Sequence, residues 1–230
     1  REAARRGTSL SRPGPIWAVV VAGGSGSRFG SQKQFLPLDG KPVVAWSVAA
    51  ARTVADGIVV VVPDGSAPSA GDLGSDLVVT GGPTRSHSVR AGLAAVPAET
   101  SVIIVHDAAR PLAPASLFAA VVEALDQDGV HGAIPVLPMT DTLKRAADGR
   151  VSSTVDREGI VSVQTPQAFV AATLRAAHAE GGEATDDAGL LEALGATVQT
   201  VPGEPRNFKL THPEDLVMAE ALVQRDREGR

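Results

Sequence analysis

A short apolar run followed by a glycine-rich loop, from Trp17 to Phe35, most constrains how this chain can fold. Trp17–Val21 is rich in β-branched residues and has the length of a buried strand rather than of a helix. The loop after it contains glycine at positions 23, 24, 26 and 30. Because glycine tolerates positive φ and carries no side chain, such a loop can curl tightly and point its N–H groups at an anion.

Two cations accompany this loop, Arg28 within it and Lys33 just after it. A strand that leads into a glycine-rich turn with Arg and Lys indicates a cradle for a polyphosphate. The dinucleotide fingerprint G-x-G-x-x-G does not fit, because its third glycine position is Phe29. The Walker loop does not fit either, since no glycine directly precedes Lys33. A plain turn with two solvated cations is the alternative that this stretch alone leaves open.

Composition limits the class of protein. The 230 residues suffice for one α/β domain or two small ones, and the formal net charge of −5 argues against general binding to nucleic acid. The chain has no cysteine for disulfides or zinc, and no apolar stretch long enough to cross a membrane. Residues 1–15 are basic and rich in Gly, Pro and Ser, and we expect them to be a flexible leader rather than a secretory signal. These features favour a cytoplasmic protein.

Strand and helix patterns alternate after the glycine loop. β-Branched runs predict strands over 58–62, 77–80, 101–106 and 132–136, and helical spacing predicts helices over 42–52, 86–96 and 115–125. This alternation indicates a Rossmann-like α/β fold, with a mostly parallel twisted sheet flanked by helices. Such sheets bind ligands beyond the carboxyl ends of their strands. The loop at Gly24, the Gly81-Gly82 turn and the segment Asp107–Arg110 should therefore converge on one rim.

Residues 139–164 interrupt this alternation. They have the pattern of two extended strands around Asp148-Gly149, a favoured hairpin turn, with little to bury. A protruding β-arm paired with another subunit and an ordinary surface hairpin both account for the pattern.

The rest of the chain returns to the earlier alternation. Further helices are expected over 171–179, from an N-cap at Thr185 to Leu194, and up to about Gln224, with a strand over 196–201. Asp186 and Asp187 are explained by the dipole of the helix that begins there. The chain is thus predicted to be one domain over 16–225, with the arm inserted and a tail over 226–230.

Cations and one carboxylate are the candidates for chemistry. Phosphoryl and nucleotidyl transfer depend on in-line positioning and on cations where negative charge accumulates. Arg28 can offer forked donors to phosphate, and Lys33 a compact charge. Asp107 follows a strand and is a candidate ligand for Mg²⁺, which takes one or two carboxylates together with phosphates and water. The sequence offers no Cys and no G-x-S-x-G serine as a nucleophile, so transfer between bound substrates is the expected chemistry.

The chain contains, in this order, AGGSGSRFG, KQFLPLDGKPV, GGPTRSHSVRAGL, VHDAARP, DTLKR, TVDR, QTPQ, ATDDA and NFKLTHPEDL. This set resembles the family of 2-C-methyl-D-erythritol 4-phosphate cytidylyltransferases of the non-mevalonate isoprenoid pathway, from Val19 to about Glu220. The resemblance implies transfer of CMP from CTP to methylerythritol phosphate. The implied mechanism is direct attack of the substrate phosphate on the α-phosphorus of CTP, with Mg²⁺ bound and pyrophosphate leaving.

The resemblance also implies roles for individual residues. Those matched to catalysis are Arg28, Lys33, Arg157 and Lys209, the first two as the pair that stabilises the pentacoordinate α-phosphate. Those matched to nucleotide binding are Ala22, Gly23, Gly24, Ser25, Gly26, Gly82, Arg85, Ser88, Asp107 and Ala108, with Asp107 also matched to the metal. Those matched to the methylerythritol phosphate site are Arg110, Thr142, Arg157, Thr165, Thr185 and Lys209. In the family the arm reaches across a homodimer to complete the neighbouring site.

The chain departs from the family pattern at Gln32, where Pro is common, and in the short spacing between Arg28 and Lys33. Two alternative functions stay open. One is a cytidylyltransferase for another polyol phosphate, such as ribitol 5-phosphate, which the arm and the polyol side of the site would distinguish. The other is a catalytically silent nucleotide-binding relative, and retention of the charged candidates speaks against it.

Overall fold

A central sheet of eight strands organises the part of the chain that the structure describes. The computed structural model describes residues 14–24, 29, 32–66 and 70–229. The elements follow one another as β1 (Ile16–Val21), β2 (Pro37–Leu38), β3 (Lys41–Pro42), α1 (Val43–Ala51), β4 (Gly57–Val62), α2 (Ala70–Leu73), β5 (Leu77–Thr80), α3 (Arg85–Ala95), β6 (Val102–Asp107), α4 (Ala115–Glu123), β7 (Gly132–Pro138), β8 (Leu143–Ala147), β9 (Arg150–Val155), β10 (Val161–Val163), β11 (Gln167–Val170), α5 (Ala171–Ala179), α6 (Asp187–Ala193), β12 (Val198–Pro202) and α7 (Pro213–Glu228). Short 3₁₀ turns lie at Lys33–Phe35 and Ala124–Asp126.

The sheet is mostly parallel, as predicted. Its strands lie in the order β10-β7-β11-β6-β1-β4-β5, and β12 pairs with β7. β1 runs parallel to β4 and β6, β5 runs parallel to β4, and β12 runs parallel to β7. β10 and β11 are the antiparallel exceptions. Strand β11 was not predicted, because four residues between a proline and a helix are too few for a strand period to be recognised.

Helices cover both faces of the sheet, so its central strands are apolar on both sides. Every residue of β4 and β6 is buried. On one face α1 and α4 pack onto the sheet, and Phe118 of α4 is completely buried there. On the other face lie α3, α5 and α6. The predicted apolar residues of the α3 segment, Val89, Leu93 and Val96, are buried in the core on this face. No helix in the described part of the chain is long and apolar enough to span a membrane.

Strand register brings the loops of interest to one edge of the sheet. Val21, the last residue of β1, lies opposite Val61 of β4 and Asp107 of β6. The next residue, Ala22, donates its N–H to the Val61 carbonyl at 2.7 Å. Ala108 donates its N–H to the Val21 carbonyl at 3.0 Å. The segments after β1 and β6 therefore leave the sheet side by side.

The predicted hairpin forms, but the predicted arm is shorter than 139–164. Strands β8 and β9 pair antiparallel in a sheet of their own, and their turn residues Asp148 and Gly149 have φ of 50° and 72°. By contrast, Val161–Val163 pairs with β7 in the central sheet, and Gln164 is buried. The far end of the predicted insertion thus belongs to the body of the protein. From here on "the arm" means residues 139–157.

The start of α6 and the end of α7 differ from the predictions. The N-cap of α6 is Asp186 and not Thr185, because the Asp186 carboxylate accepts the N–H of Gly189 at 3.1 Å. The last helix continues to Glu228, three residues into the predicted tail. Arg225 and Arg227 in its last turn favour this extension, because cations stabilise the carboxyl end of a helix.

Candidate active site

A cavity of about 520 Å³ opens where β1 and β6 end. It is lined by the described residues predicted to bind nucleotide: Ala22, Gly23, Gly24, Gly82, Arg85, Ser88, Asp107 and Ala108. Lys33 and Lys209, predicted to be catalytic, line it too. Ser25, Gly26 and Arg28 lie outside the described residues. The predicted convergence on one rim is therefore confirmed, whereas the roles of the individual residues stay predictions.

The Gly81-Gly82 turn packs so closely on the start of α3 that only glycine fits. A Cβ on Gly81 would lie 2.6 Å from Ser88 Oγ, and one on Gly82 would lie 2.4 Å from His87 Cβ. Ser88 Oγ accepts the Gly82 N–H at 3.2 Å, and the Thr84 hydroxyl caps α3 by accepting the His87 N–H at 3.2 Å. These contacts fix the turn that forms one wall of the cavity.

Gln34 is a cavity residue that the sequence analysis missed. It lies in the 3₁₀ turn that begins at Lys33, and its side chain is buried. Its Nε2 donates to the Gly24 carbonyl at 3.2 Å, which ties the glycine loop to this turn. The Lys33 ammonium lies 5.8 Å from the centroid of the Phe29 ring. Only its position next to Lys33 could have drawn attention to Gln34.

A second cavity, of about 360 Å³, adjoins the first. Arg110, Thr165 and Thr185, all matched to polyol phosphate binding, line it. Among the residues that the structure describes, three charged ones line both cavities: Arg85, Asp107 and Lys209. We call this trio the shared wall, because ligands in the two cavities would meet there.

Asp107 is the ionised centre of the shared wall. Lys209 Nζ lies 2.6 Å from its Oδ2, and Arg85 Nε lies 3.5 Å from its Oδ1. Burial alone raises the pKa of Asp107, but the positive charges of Lys209 and Arg85 outweigh burial and hold that pKa well below its usual range. The wall therefore presents a carboxylate flanked by cationic side chains.

Asp187 supports this wall from behind, a role that the sequence analysis did not assign. Its Oδ2 lies 2.8 Å from Arg85 Nη1, and its Oδ1 lies 2.9 Å from Nε2 of the buried His178. Burial lowers the pKa of Arg85, but Asp187 and Asp107 outweigh it and raise that pKa. Arg85 is thus held between two carboxylates. The helix dipole explained Asp187 well enough in the sequence, and nothing there linked it to a residue 102 positions away.

Two buried amides, Gln164 and Asn207, hold the second cavity together and were not predicted. Arg110 Nη1 donates to the Asn207 carbonyl at 2.7 Å, and Asn207 Nδ2 donates to the Thr165 carbonyl at 2.9 Å. Gln164 Nε2 donates to the Glu204 carbonyl at 2.9 Å, and its Oε1 accepts the Glu204 N–H at 3.0 Å. These bonds join the segment that carries the NFKLT motif to the turn before β11.

Thr142 and Arg157 lie on the arm, and the structure does not bring them to either cavity. Both side chains are exposed. The Arg157 guanidinium donates to the backbone carbonyl of Thr140, within the base of the arm. Within one chain these two residues are therefore separated from the shared wall.

His106 lies completely buried beside Asp107, with its ring centroid 5.0 Å from that of Phe118. Burial lowers the pKa of His106 from 6.5 to about 4, although the charge of Asp107 opposes this shift. The unfolded chain therefore binds this proton at higher pH than the folded protein does. The stability that the neutral ring contributes is complete above pH 6.5 and is lost as the pH falls towards about 4.

As the pH falls from 6.5 to about 4, we expect the buried His106 to lower the free energy of unfolding by about 3 kcal/mol. His106→Asn, which cannot titrate there, should show a much flatter profile. Titration of Asp107 does not affect the comparison of the two stability profiles, because the pKa of Asp107 lies below its usual value. Asp107 therefore binds its proton only at lower pH. Urea unfolding at several pH values measures both profiles, and parallel profiles would contradict the assignment.

Comparison with known proteins identifies the family. A family model described as "IspD: 2-C-methyl-D-erythritol 4-phosphate cytidylyltransferase" matches residues 16–225. The chain belongs to this family. The 2-C-methyl-D-erythritol 4-phosphate cytidylyltransferase of Rhodococcus jostii is 46% identical over 219 residues, which cover 92% of this chain and 96% of that relative. The resemblance seen in the motifs is thus confirmed.

Some relatives of this family are longer. The bifunctional enzyme IspD/IspF of Anaeromyxobacter dehalogenans is 48% identical over 225 residues, covering 91% of this chain and 57% of that relative. This chain therefore spans little more than half the length of such bifunctional relatives. Among solved structures, the family member from Thermus thermophilus matches with a TM-score of 0.78 and 40% identity, covering 90% of this chain and 98% of the other. That match confirms the Rossmann-like α/β fold.

Proposed function

We propose that this protein transfers CMP from CTP to 2-C-methyl-D-erythritol 4-phosphate. The products are 4-diphosphocytidyl-2-C-methyl-D-erythritol and pyrophosphate, in non-mevalonate isoprenoid biosynthesis. The observation that carries the proposal is the shared wall of Arg85, Asp107 and Lys209 between two adjoining cavities. Residues matched to nucleotide line one cavity and residues matched to polyol phosphate line the other. Family membership supports the choice of these two substrates.

The proposed reaction takes place at the shared wall. CTP would occupy the first cavity with its triphosphate along the glycine loop, and methylerythritol phosphate the second. An oxygen of the acceptor phosphate attacks the α-phosphorus as the bond to pyrophosphate breaks. Lys33 and Lys209 supply positive charge where negative charge accumulates in the transition state. No protein nucleophile is needed.

We propose Mg²⁺ as the cofactor, with Asp107 as its protein ligand. The donor chemistry fits, because Mg²⁺ prefers oxygen ligands and takes one or two carboxylates together with phosphates and water. The low pKa of Asp107 keeps this carboxylate ionised. When bound, Mg²⁺ would neutralise phosphate charge and orient the triphosphate.

We also propose that the arm completes the site of a second subunit in a homodimer. Thr142 and Arg157, both matched to the polyol phosphate site, line neither cavity of their own chain. The hairpin β8–β9 forms a separate two-stranded sheet, and Val151 on it is 65% exposed. Because an isolated hairpin is only marginally stable in water, contact with another subunit would stabilise it.

The arm can be tested by mixing two inactive variants, Arg157→Ala and Lys209→Met. If the arm acts in trans, a mixed dimer contains one site with both defects and one site with none. Random reassembly makes half of the dimers mixed, so we expect about a quarter of wild-type activity. Pyrophosphate release after joint refolding measures the recovery, and each variant refolded alone is the control. Activity that stays at the level of the parents would contradict action in trans.

Substrate identity is tested by pyrophosphate release from CTP with Mg²⁺ and either methylerythritol phosphate or ribitol 5-phosphate. We expect release with the former and little with the latter. Release with ribitol 5-phosphate alone would assign the second function. Absence of release with both, despite measurable CTP binding, would favour a silent nucleotide-binding protein.

A further inference from the structure

His106 lies beneath the shared wall, and both nitrogens of its ring are hydrogen-bonded. Nε2 is 3.2 Å from the backbone carbonyl oxygen of Arg110, and Nδ1 is 3.0 Å from Oγ1 of Thr165. Thr165 Oγ1 also accepts the backbone N–H of Asp107 at 3.0 Å. The ring therefore contacts the segment after β6 through Arg110 and the turn that precedes β11 through Thr165.

The Arg110 carbonyl determines which ring nitrogen carries the proton. A carbonyl oxygen can only accept, so Nε2 must be the donor. The ring is completely buried against Phe118, where the neutral form is favoured. In that form Nδ1 has only a lone pair, and it must accept from Thr165. The hydroxyl proton of Thr165 is consequently committed to His106.

This hydrogen bond to His106 limits which hydrogen bonds Thr165 can form with a ligand. A hydroxyl has one proton and two lone pairs. The proton goes to His106 and one lone pair accepts the Asp107 N–H. One lone pair remains, and Thr165 lines the second cavity. Thr165 can therefore accept a hydrogen bond from a ligand but cannot donate one.

We infer that His106 is a positioning residue that makes Thr165 a hydrogen-bond acceptor, so that Thr165 recognises a hydroxyl of the polyol and not its phosphate. An ionised phosphate oxygen has no proton to give, whereas every polyol hydroxyl has one. The donors that suit the phosphate are the cations that line the same cavity, Arg85, Arg110 and Lys209. This inference rests on the proposed function for the identity of the polyol phosphate.

The first test needs no substrate. In protein labelled with ¹⁵N in its histidines, two-bond proton–nitrogen correlations show which ring nitrogen carries a proton. His106→Asn identifies the resonances of this residue by their loss. We expect a protonated Nε2 and a bare Nδ1. A proton on Nδ1 would overturn the inference, because the Thr165 hydroxyl would then be free to donate.

The second test uses two amides that each replace one ring nitrogen. His106→Asn can offer an oxygen near the Nδ1 position and so keep the acceptor for Thr165. His106→Gln can offer an N–H near the Nε2 position, which keeps the bond to Arg110 but releases the Thr165 proton. We expect the Gln variant to raise KM for methylerythritol phosphate about fivefold, the effect of one hydrogen bond, with KM for CTP unchanged. The Asn variant should stay close to wild type, and equal rises for both substrates in both variants would overturn the inference.

The third test asks whether His106 acts through Thr165. Thr165→Val should raise the same KM about fivefold, and adding His106→Gln should raise it no further. Inorganic phosphate, used as a competitive inhibitor, should bind the Val variant as well as wild type. Multiplicative effects, or weaker phosphate inhibition, would overturn the inference. Thr165→Ser keeps the hydroxyl and is the control, and thermal unfolding verifies that each variant is folded.

Failure of the inference and failure of the proposed function give different results. If wild-type protein does not use methylerythritol phosphate at all, the proposed function is wrong, and the tautomer measurement still decides the arrangement of His106 and Thr165. If turnover is normal but Nδ1 carries the proton, the function stands and the inference fails.

Discussion

Lys209→Met is expected to lower kcat/KM for methylerythritol phosphate about a hundred- to a thousandfold, the usual cost of removing one charge-stabilising donor from a transition state. Lys209 lines both cavities, and its ammonium is 2.6 Å from Asp107. Its side chain is 41% exposed, so it can also reach a ligand. Methionine keeps the length of the side chain and removes the charge. The pKa of Asp107 should rise in this variant, because Lys209 is the strongest of the charges that lower it.

Lys41→Met is the matched control for this experiment. Lys41 is exposed, lies outside both cavities, and has its ammonium 5.9 Å from the centroid of the Trp46 ring. Steady-state pyrophosphate release with both variants separates a local effect from a general effect of charge. A loss below about tenfold for Lys209→Met, or an equal loss for the control, would contradict the role given to the shared wall.

Lys33→Met is expected to lower kcat about a thousandfold while CTP binding weakens much less. Lys33 lies at the start of a 3₁₀ turn beside the glycine loop and lines the first cavity only. The proposed role is stabilisation of charge at the α-phosphorus, which is greatest in the transition state. A charge that acts mainly there reduces kcat more than it reduces ground-state affinity.

Two measurements made in parallel test this division. Single-turnover rates give the chemical step, and calorimetric titration with CTP gives the affinity. Lys33→Arg should not restore the rate fully, because a planar guanidinium does not replace a compact ammonium. If the whole loss were in CTP affinity, Lys33 would be a binding residue and the catalytic assignment would be wrong.

Local patterns predicted most of the fold, because its central strands are buried on both faces. Such strands appear as continuous β-branched runs, and β4 and β6 are clear cases. The glycine at the arm turn likewise marked the hairpin correctly. What the sequence could not give was pairing partners. The short strand β11 and the return of Val161–Val163 to the central sheet depend on contacts with distant residues.

The same limit applies to the candidate site: residues marked by their local sequence were predicted, and residues defined by contacts distant in sequence were not. Charged residues next to glycine turns and at strand ends, such as Lys33 and Asp107, could be selected because their positions follow from the topology. Asp187, Gln164 and Asn207 escaped selection, because each acts on residues far away in sequence. These residues are partners for buried charges and amide groups, and only the folded arrangement reveals which groups need a partner.

A crystal structure of the protein with CTP and Mg²⁺ would test the central claim most directly. The claim is that CTP and the polyol phosphate occupy separate cavities and react at the wall of Arg85, Asp107 and Lys209. We predict the triphosphate along the glycine loop in the first cavity, with the α-phosphorus beside Lys33 and facing the shared wall. A CTP molecule in the second cavity, or one whose α-phosphorus points away from that wall, would contradict the account.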